Sequence, residues 1–273
     1  MEKAVKQKIF SIDKNSLPAQ NRFYIKRKRG IFLPGTGTII NVAAIIIGGI
    51  CGMLFGNVLK ERHQDTLCKA CGICVLFLGI AGALEGMLTV SENSVTSGGT
   101  MLIIACLALG ALFGETINLE DKFEAFGEWL KIKSGNAKDK KFVEGFVTAS
   151  LTVCIGAMAI VGAIQDGILG DYSVLVTKAI LDLIIIMVMT CSFGKGCAFS
   201  AIPVAILQGG VTALSAFIKP IMTAEALANL SMIGSILIFC VGLNLVWGKK
   251  IRVANLLPAI VFAVAAAFLP FEL

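Results

Sequence analysis

The stretch Phe142–Asp182, FVEGFVTASLTVCIGAMAIVGAIQDGILGDYSVLVTKAILD, is almost wholly apolar and rich in glycine, yet it holds Glu144, Gln165, Asp166, Asp171, Lys178 and Asp182. These 41 residues are too many for one buried strand or core helix. They suffice for two helices crossing a bilayer, each of which needs about 20 residues. Ionised groups inside apolar runs of this length are costly, so they are functional candidates by default.

The rest of the chain agrees. Of 273 residues, 56% are hydrophobic and only 15% are charged, and the mean hydropathy is +0.85. A soluble domain carries about 25% charged residues. The net charge of +6 does not point to nucleic acid, because Lys and Arg collect in the tail and loops, as membrane topology requires. Nine cysteines lie mostly inside apolar runs, where they act as small helix residues rather than as a disulfide framework.

Working outward, the pattern predicts an all-α polytopic membrane protein of about eight transmembrane helices. The spans fall near residues 35–58, 67–88, 100–116, 142–169, 172–193, 197–218, 224–247 and 253–269. Residues 1–32 read as a basic N-terminal tail, with nine Lys/Arg before position 30 and no apolar core of a cleavable signal. Residues 33–273 read as a single transmembrane domain. Between spans three and four, residues 118–141 read as a cytoplasmic amphipathic loop helix: Leu119, Phe123, Phe126 and Leu130 recur at helical spacing, and Trp129 widens that face. Gly48, Gly52 and Gly56 line one face of span one, and Gly110 and Gly114 one face of span three. Such faces let helices approach closely, within the chain or in a homo-oligomer.

The loops after odd-numbered spans hold nearly all the loop lysines and arginines. The loops after even-numbered spans offer only Lys219. The positive-inside rule puts the basic loops in the cytoplasm and both termini outside; the basic tail argues the other way. There is also a trace of duplication. Ala44–Ile50 (AIIIGGI) resembles Ala205–Val211 (AILQGGV), an offset of 161 (209 − 48), and Val75–Gly79 resembles Ile238–Gly242, an offset of 163 (242 − 79). Spans 1–2 and 6–7 run in opposite senses, so this predicts an inverted-topology repeat, a transporter architecture with sites near the midplane.

Depth sorts the polar residues. Asp182 lies about ten residues, or about 15 Å, into span five, close to mid-membrane, and Lys178 is one turn outward on the same face. Gln208 in span six and Ser150, Thr152 and Cys154 in span four reach similar depth. Asn41, Gln165 and Asp166 lie toward the outer side. The candidate substrate- or ion-binding residues are therefore Asp182, Lys178, Gln208, Asn41, Gln165 and Asp166; a structural Lys178–Asp182 pair is the plainer alternative. Cys68, Cys71 and Cys74 have the spacing of a cluster motif but lack a fourth cysteine and a closing Cys-Pro. No nucleotide-binding, zinc-protease or nucleophile-elbow motif occurs, so neither an enzyme, a metal site nor a cofactor is expected.

Gly35–Arg62 (GTGTIINVAAIIIGGICGMLFGNVLKER), the GAMAIVGAIQDGILGD segment and Ser200-x-x-Pro203 with Gln208-Gly209 resemble the YdfK/YqgA-like membrane family, a bacterial family of unknown function. The resemblance covers about Leu33 to the C-terminus. It implies a multi-pass protein of the bacterial cytoplasmic membrane and supplies no substrate and no catalytic residue. The basic tail and the Cys68/Cys71/Cys74 run depart from the family pattern.

Together these features suggest a secondary transporter or permease of a small polar solute or ion, with the lipid bilayer as its other partner. The alternatives are a non-transport scaffold or partner subunit that binds through the 118–141 helix, and a membrane redox or metal protein using Cys68, Cys71 and Cys74.

Overall fold

A computed structural model of the chain describes residues 34–91 and 94–269; the basic N-terminal tail lies outside the described residues. From Pro34 the chain forms one compact unit, and it is overwhelmingly helical. The helices are α1 Thr36–Val58, α2 Glu61–Met87, α3 Thr100–Ile117, α4 Leu119–Lys133, α5 Phe142–Cys154, α6 Ala157–Leu169 and α7 Ser173–Phe193. A 3-10 segment, Gly194–Ser200, leads into α8 Ala201–Ala213, the single turn α9 Ser215–Ile218, α10 Ala224–Trp247, the turn α11 Val253–Leu256 and α12 Pro258–Ala266. Among the described residues, five stretches are long and apolar enough to cross a membrane alone, and six when the bent α5–α6 pair counts as one. Ser173–Ala213 is one of the five, and residues 253–266 form only a shorter apolar stretch.

Three local features differ from the sequence expectation. The segment after α2 is not a plain loop: Leu88–Ser91 and Ser94–Ser97 (β1 and β2) pair antiparallel, Leu88 opposite Ser97, because Thr89, Val90, Val95 and Thr96 suit a pleated ribbon. The charged loop before span two is mostly helix, since α2 starts at Glu61 and carries His63. Span four breaks after Cys154 and bends by 62°. Its hinge is Gly156, at φ 139°, ψ 148°, a conformation open to glycine and strained for other residues.

Glycines set the helix pairing. Gly37 packs on Leu175, Gly48 on Leu183, Gly52 on Met187 and Gly56 on Cys191. Positions rise together on both helices, so α1 and α7 run parallel. Gly49 meets Ala198, and Asn41 meets Gln208; positions now run oppositely, so the 3-10 segment and α8 return antiparallel beside α1. The apolar stretch Ser173–Ala213 therefore turns back at Gly194. Gly110 and Gly114 pack on Ala259 and Asn255. The glycine faces of α1 and α3 thus meet helices of the same chain.

The α2–α10 contact is reciprocal. Gly79 lies against Phe239 and Gly242 against Leu76; Gly82 meets Ser235 and Gly72 meets Leu245. A shift of 163 positions carries each contact onto its mate, as across a two-fold axis. The α1–α8 match behaves differently. Gly48 and Gly49 are in tight contact, whereas Gly209 and Gly210 have open space where a side chain would stand.

At one end of the bundle, hereafter the basic end, Ser192 donates to the Gln64 carbonyl at 2.6 Å and Lys141 to that of Ser192 at 3.3 Å. Here α4 docks on α5, with Phe126 edge-on to Phe146 and Gly127 against Phe146. Glu120, one of the acidic residues interleaved along α4, is buried. Its carboxylate accepts the Ala254 N–H at 2.9 Å and pairs with Lys249 at 2.9 Å, while its own N–H donates to Asn255. Partial burial disfavours the Lys249 charge, but bonding to Glu124 and Glu120 outweighs this and raises its pKa above the ordinary 10.5.

Candidate functional site

Asp182 stands in the middle of α7, nine residues after Ser173 and eleven before Phe193. It accepts the Lys178 ammonium on both carboxylate oxygens, at 2.8 and 2.5 Å. Both side chains are buried, 5% and 9% exposed. The spacing of four places them on one face of the helix, and that face is turned inward because the glycines of α1 bring its backbone against α7.

That close approach brings in a third residue. Asn41, fully buried on α1, lies within hydrogen-bonding reach of Asp182 and donates to Gln208 Oε1 of α8 at 3.2 Å. Gln208 is also fully buried. From α5, Cys154, at the break before Gly156, lies near enough to the Lys178–Asp182 pair for its thiol to interact electrostatically with both charges. Three helices thus put one carboxylate, one ammonium and two amides at the bundle centre. Asn41 Oδ1 and Gln208 Nε2 remain without partners, and a buried polar atom left unpaired costs about 1–3 kcal/mol. The site therefore keeps one free acceptor and one free donor beside a compensated ion pair. That combination suits a small polar ligand or ion.

Asp166 and Gln165 do not join this cluster. Asp166 is fully buried near the start of α1, one turn of α1 away from Asn41, and takes the Gly37 N–H at 3.0 Å. It ties α6 to the N-terminal end of α1, where a carboxylate is favoured by the helix dipole. Gln165 stays half-buried beside it. The cysteine run diverges: Cys68 is buried, its thiol directed at the Leu245 carbonyl, and Cys74 is exposed. Among the described residues no group of three His, Cys, Asp or Glu could hold a metal ion.

Sequence reasoning singled out Ser150 by its depth but missed other buried hydroxyls: Thr38, Thr190, Ser200 and Thr212, like Ser150, each carry an oxygen with no partner. Threonine and serine are unremarkable in membrane helices, where they commonly bond back to the carbonyl four residues earlier. Only the packed structure reveals which ones do not.

A family profile described as "Protein of unknown function (DUF554)" matches residues 36–268. The "Uncharacterized membrane protein YdfK" of Bacillus subtilis (strain 168) is 32% identical over 232 residues, covering 85% of this chain and 95% of the relative. The "Uncharacterized protein YqgA" of Escherichia coli (strain K12) is 29% identical over 231 residues, 83% of this chain and 94% of the relative. No solved structure matches the chain.

Proposed function

The chain belongs to the DUF554 family, and from that premise we propose that this multi-pass membrane protein is a secondary transporter of a small polar solute or ion. The observation that carries the reading is the central cluster, in which a buried Lys178–Asp182 pair sits beside Asn41 and Gln208 with unpartnered polar atoms. Ionisable residues held inside a bundle at mid-membrane are typical of solute and ion pathways. We read the chain as eight crossings: α1, α2, α3, the broken α5–α6, α7, the 3-10 segment with α8, α10, and the short α11–α12. The reversal at Gly194 supports counting α7 and α8 separately. The reciprocal α2–α10 contact supports an inverted repeat centred on that pair, and broken helices such as α5–α6 recur at transporter sites. The positive-inside rule supports a cell-membrane orientation with the basic end in the cytoplasm and both termini outside.

The test is flux in proteoliposomes across a panel of small solutes and monovalent ions. Asp182→Asn should abolish the flux of whichever solute the wild type carries, with folding intact; unchanged flux would remove Asp182 from the site. One observation favours a second reading, a partner subunit. Trp129 and Ile132 are exposed on α4 although Leu130 is buried and Phe123 packs against the core. A soluble partner that co-purifies with the wild type and is lost on Trp129→Glu would support it.

A further inference from the structure

At the basic end a cavity of about 380 Å³ opens between α1, α2 and the turn from α7 into the 3-10 segment. Gln64, Asp139, Lys141 and Lys195 stand around it, and Thr190 belongs to its wall. Thr190 lies eight residues from Asp182 along α7, about 12 Å, and is turned from it by about 80° around the helix.

Two more hydroxyls stand near this interval. Ala198 packs on Gly49, whose neighbour Gly48 meets Leu183, so Ser200, two residues further along the returning chain, lies at about the depth of Asp182. Gly145 packs on Phe193 and Cys197 at the basic end, while Cys154, at the other end of α5, lies in the electrostatic neighbourhood of the ion pair; Ser150 on α5 falls between them. Other helical hydroxyls in this protein bond back one turn: Thr152 to Thr148, Thr177 to Ser173 and Ser235 to Ser231. Ser150, Thr190 and Ser200 do not. Each oxygen is buried and without a partner, the Cys197 thiol beside Thr190 being a weak donor at most. Buried polar atoms are otherwise bonded to protein or to ordered water, and water bridges are favoured where a site offers several polar groups.

We propose that Thr190, Ser200 and Ser150 line a hydrated half-channel that carries protons from the basic-end cavity to Asp182. The inference deepens the transport reading by naming the proton as the coupling ion, and it rests on Asp182 being the functional carboxylate. Hydroxyls both donate and accept, so with intervening water they relay protons without carrying charge themselves. At the inner end a hydronium ion gives its proton to the Asp182 carboxylate, leaving water and a neutral carboxyl group; Lys178 loses its counter-charge and the pair loosens. Return of the proton to water restores the pair. The titratable groups around Asp182 are Lys178 on its own helix and the Cys154 thiol on α5. Helices α1 and α8 present the neutral amides of Asn41 and Gln208.

Vesicles holding the full chain, with sidedness fixed by protease access to residues 118–141, provide the test. The infrared band of a protonated carboxyl group that disappears in Asp182→Asn should rise when only the basic-end side is acidified. Replacing the three hydroxyls together (Thr190→Val, Ser200→Ala, Ser150→Ala) should slow that rise at least severalfold, while Thr152→Val, whose hydroxyl is already bonded, should leave it unchanged. Thermal melting of each variant confirms the fold. A band that follows the pH of the opposite side, responds to neither side, or titrates at the wild-type rate in the triple variant would overturn the proposal. Because no solute is required, a half-channel can be present even if no transported solute is found.

Discussion

Lys178 and Asp182 meet one helical turn apart on α7 with both carboxylate oxygens engaged, at 2.8 and 2.5 Å, and with almost no exposure. Desolvation of two ions is offset here only while both are present. Removing one member leaves an uncompensated buried charge, an effect of about 3–5 kcal/mol. Lys178→Met and Asp182→Leu should therefore each lower the melting temperature in detergent markedly, and the double variant should recover most of the loss. Additive losses in the double variant would mean that the pair does not act as a unit.

Gly52 and Gly210 predict opposite signs for the same substitution. A methyl at Gly52 would strike the Met187 carbonyl and the Thr190 side chain, whereas nothing lies within 4 Å of one at Gly210. Gly52→Ala should destabilise by about 1–3 kcal/mol through overpacking. Gly210→Ala, inside α8, should be neutral or stabilising by up to about 1 kcal/mol from helix propensity. Melting curves of the two variants decide the matter.

Much of this was legible in the sequence, and the rest was hidden for specific reasons. The depth of Asp182 and its partnership with Lys178 follow from helical rise and the i,i+4 rule alone. The convergence of Asn41 on the pair, with Gln208 behind it, does not, because it depends on α1 lying parallel to α7 while α8 returns beside α1. The burial of Glu120 could not be read from the sequence, because α4 carries acidic residues around much of its circumference and only the Ala254 N–H and Lys249 single one of them out. The 62° break at Gly156 was half-legible: span four is longer than a bilayer needs, so it either tilts or is loosened at Gly156 and Gly162, but a glycine carries no signal of its own φ, and the sequence could not choose between these. The orphaned hydroxyls of Thr190 and Ser200 looked like ordinary helix residues.

The Glu120–Lys249 contact predicts how α4 stays docked. Glu120→Ala leaves the Ala254 N–H without its acceptor and should cost about 1–3 kcal/mol, read as faster proteolysis within residues 118–141. The alkaline dependence has a definite sign. The Lys249 pKa is raised in the folded chain, so its contribution is complete below the ordinary lysine value and disappears as pH climbs through the higher folded value. Protection of 118–141 should outlast the pH at which an exposed lysine deprotonates, and Lys249→Met should abolish that alkaline dependence.

Gly156 tests whether the break in the fourth crossing matters for activity as well as for folding. Its φ of 139° lies where a side chain is strained, a penalty of about 1–3 kcal/mol. A Cβ there would find only Ile238, at 3.9 Å, so strain rather than crowding dominates. Gly156→Ala should therefore lower the melting temperature in proportion to that penalty. It should also reduce flux beyond the loss expected from unfolding, because a straighter α5–α6 shifts Cys154 and Ser150 relative to Asp182. Ala157→Gly, one residue on and already helical, is the control: it alters the same turn without forcing the hinge and should leave flux near wild type. Equal flux per folded molecule in Gly156→Ala and wild type would confine the break to a structural role.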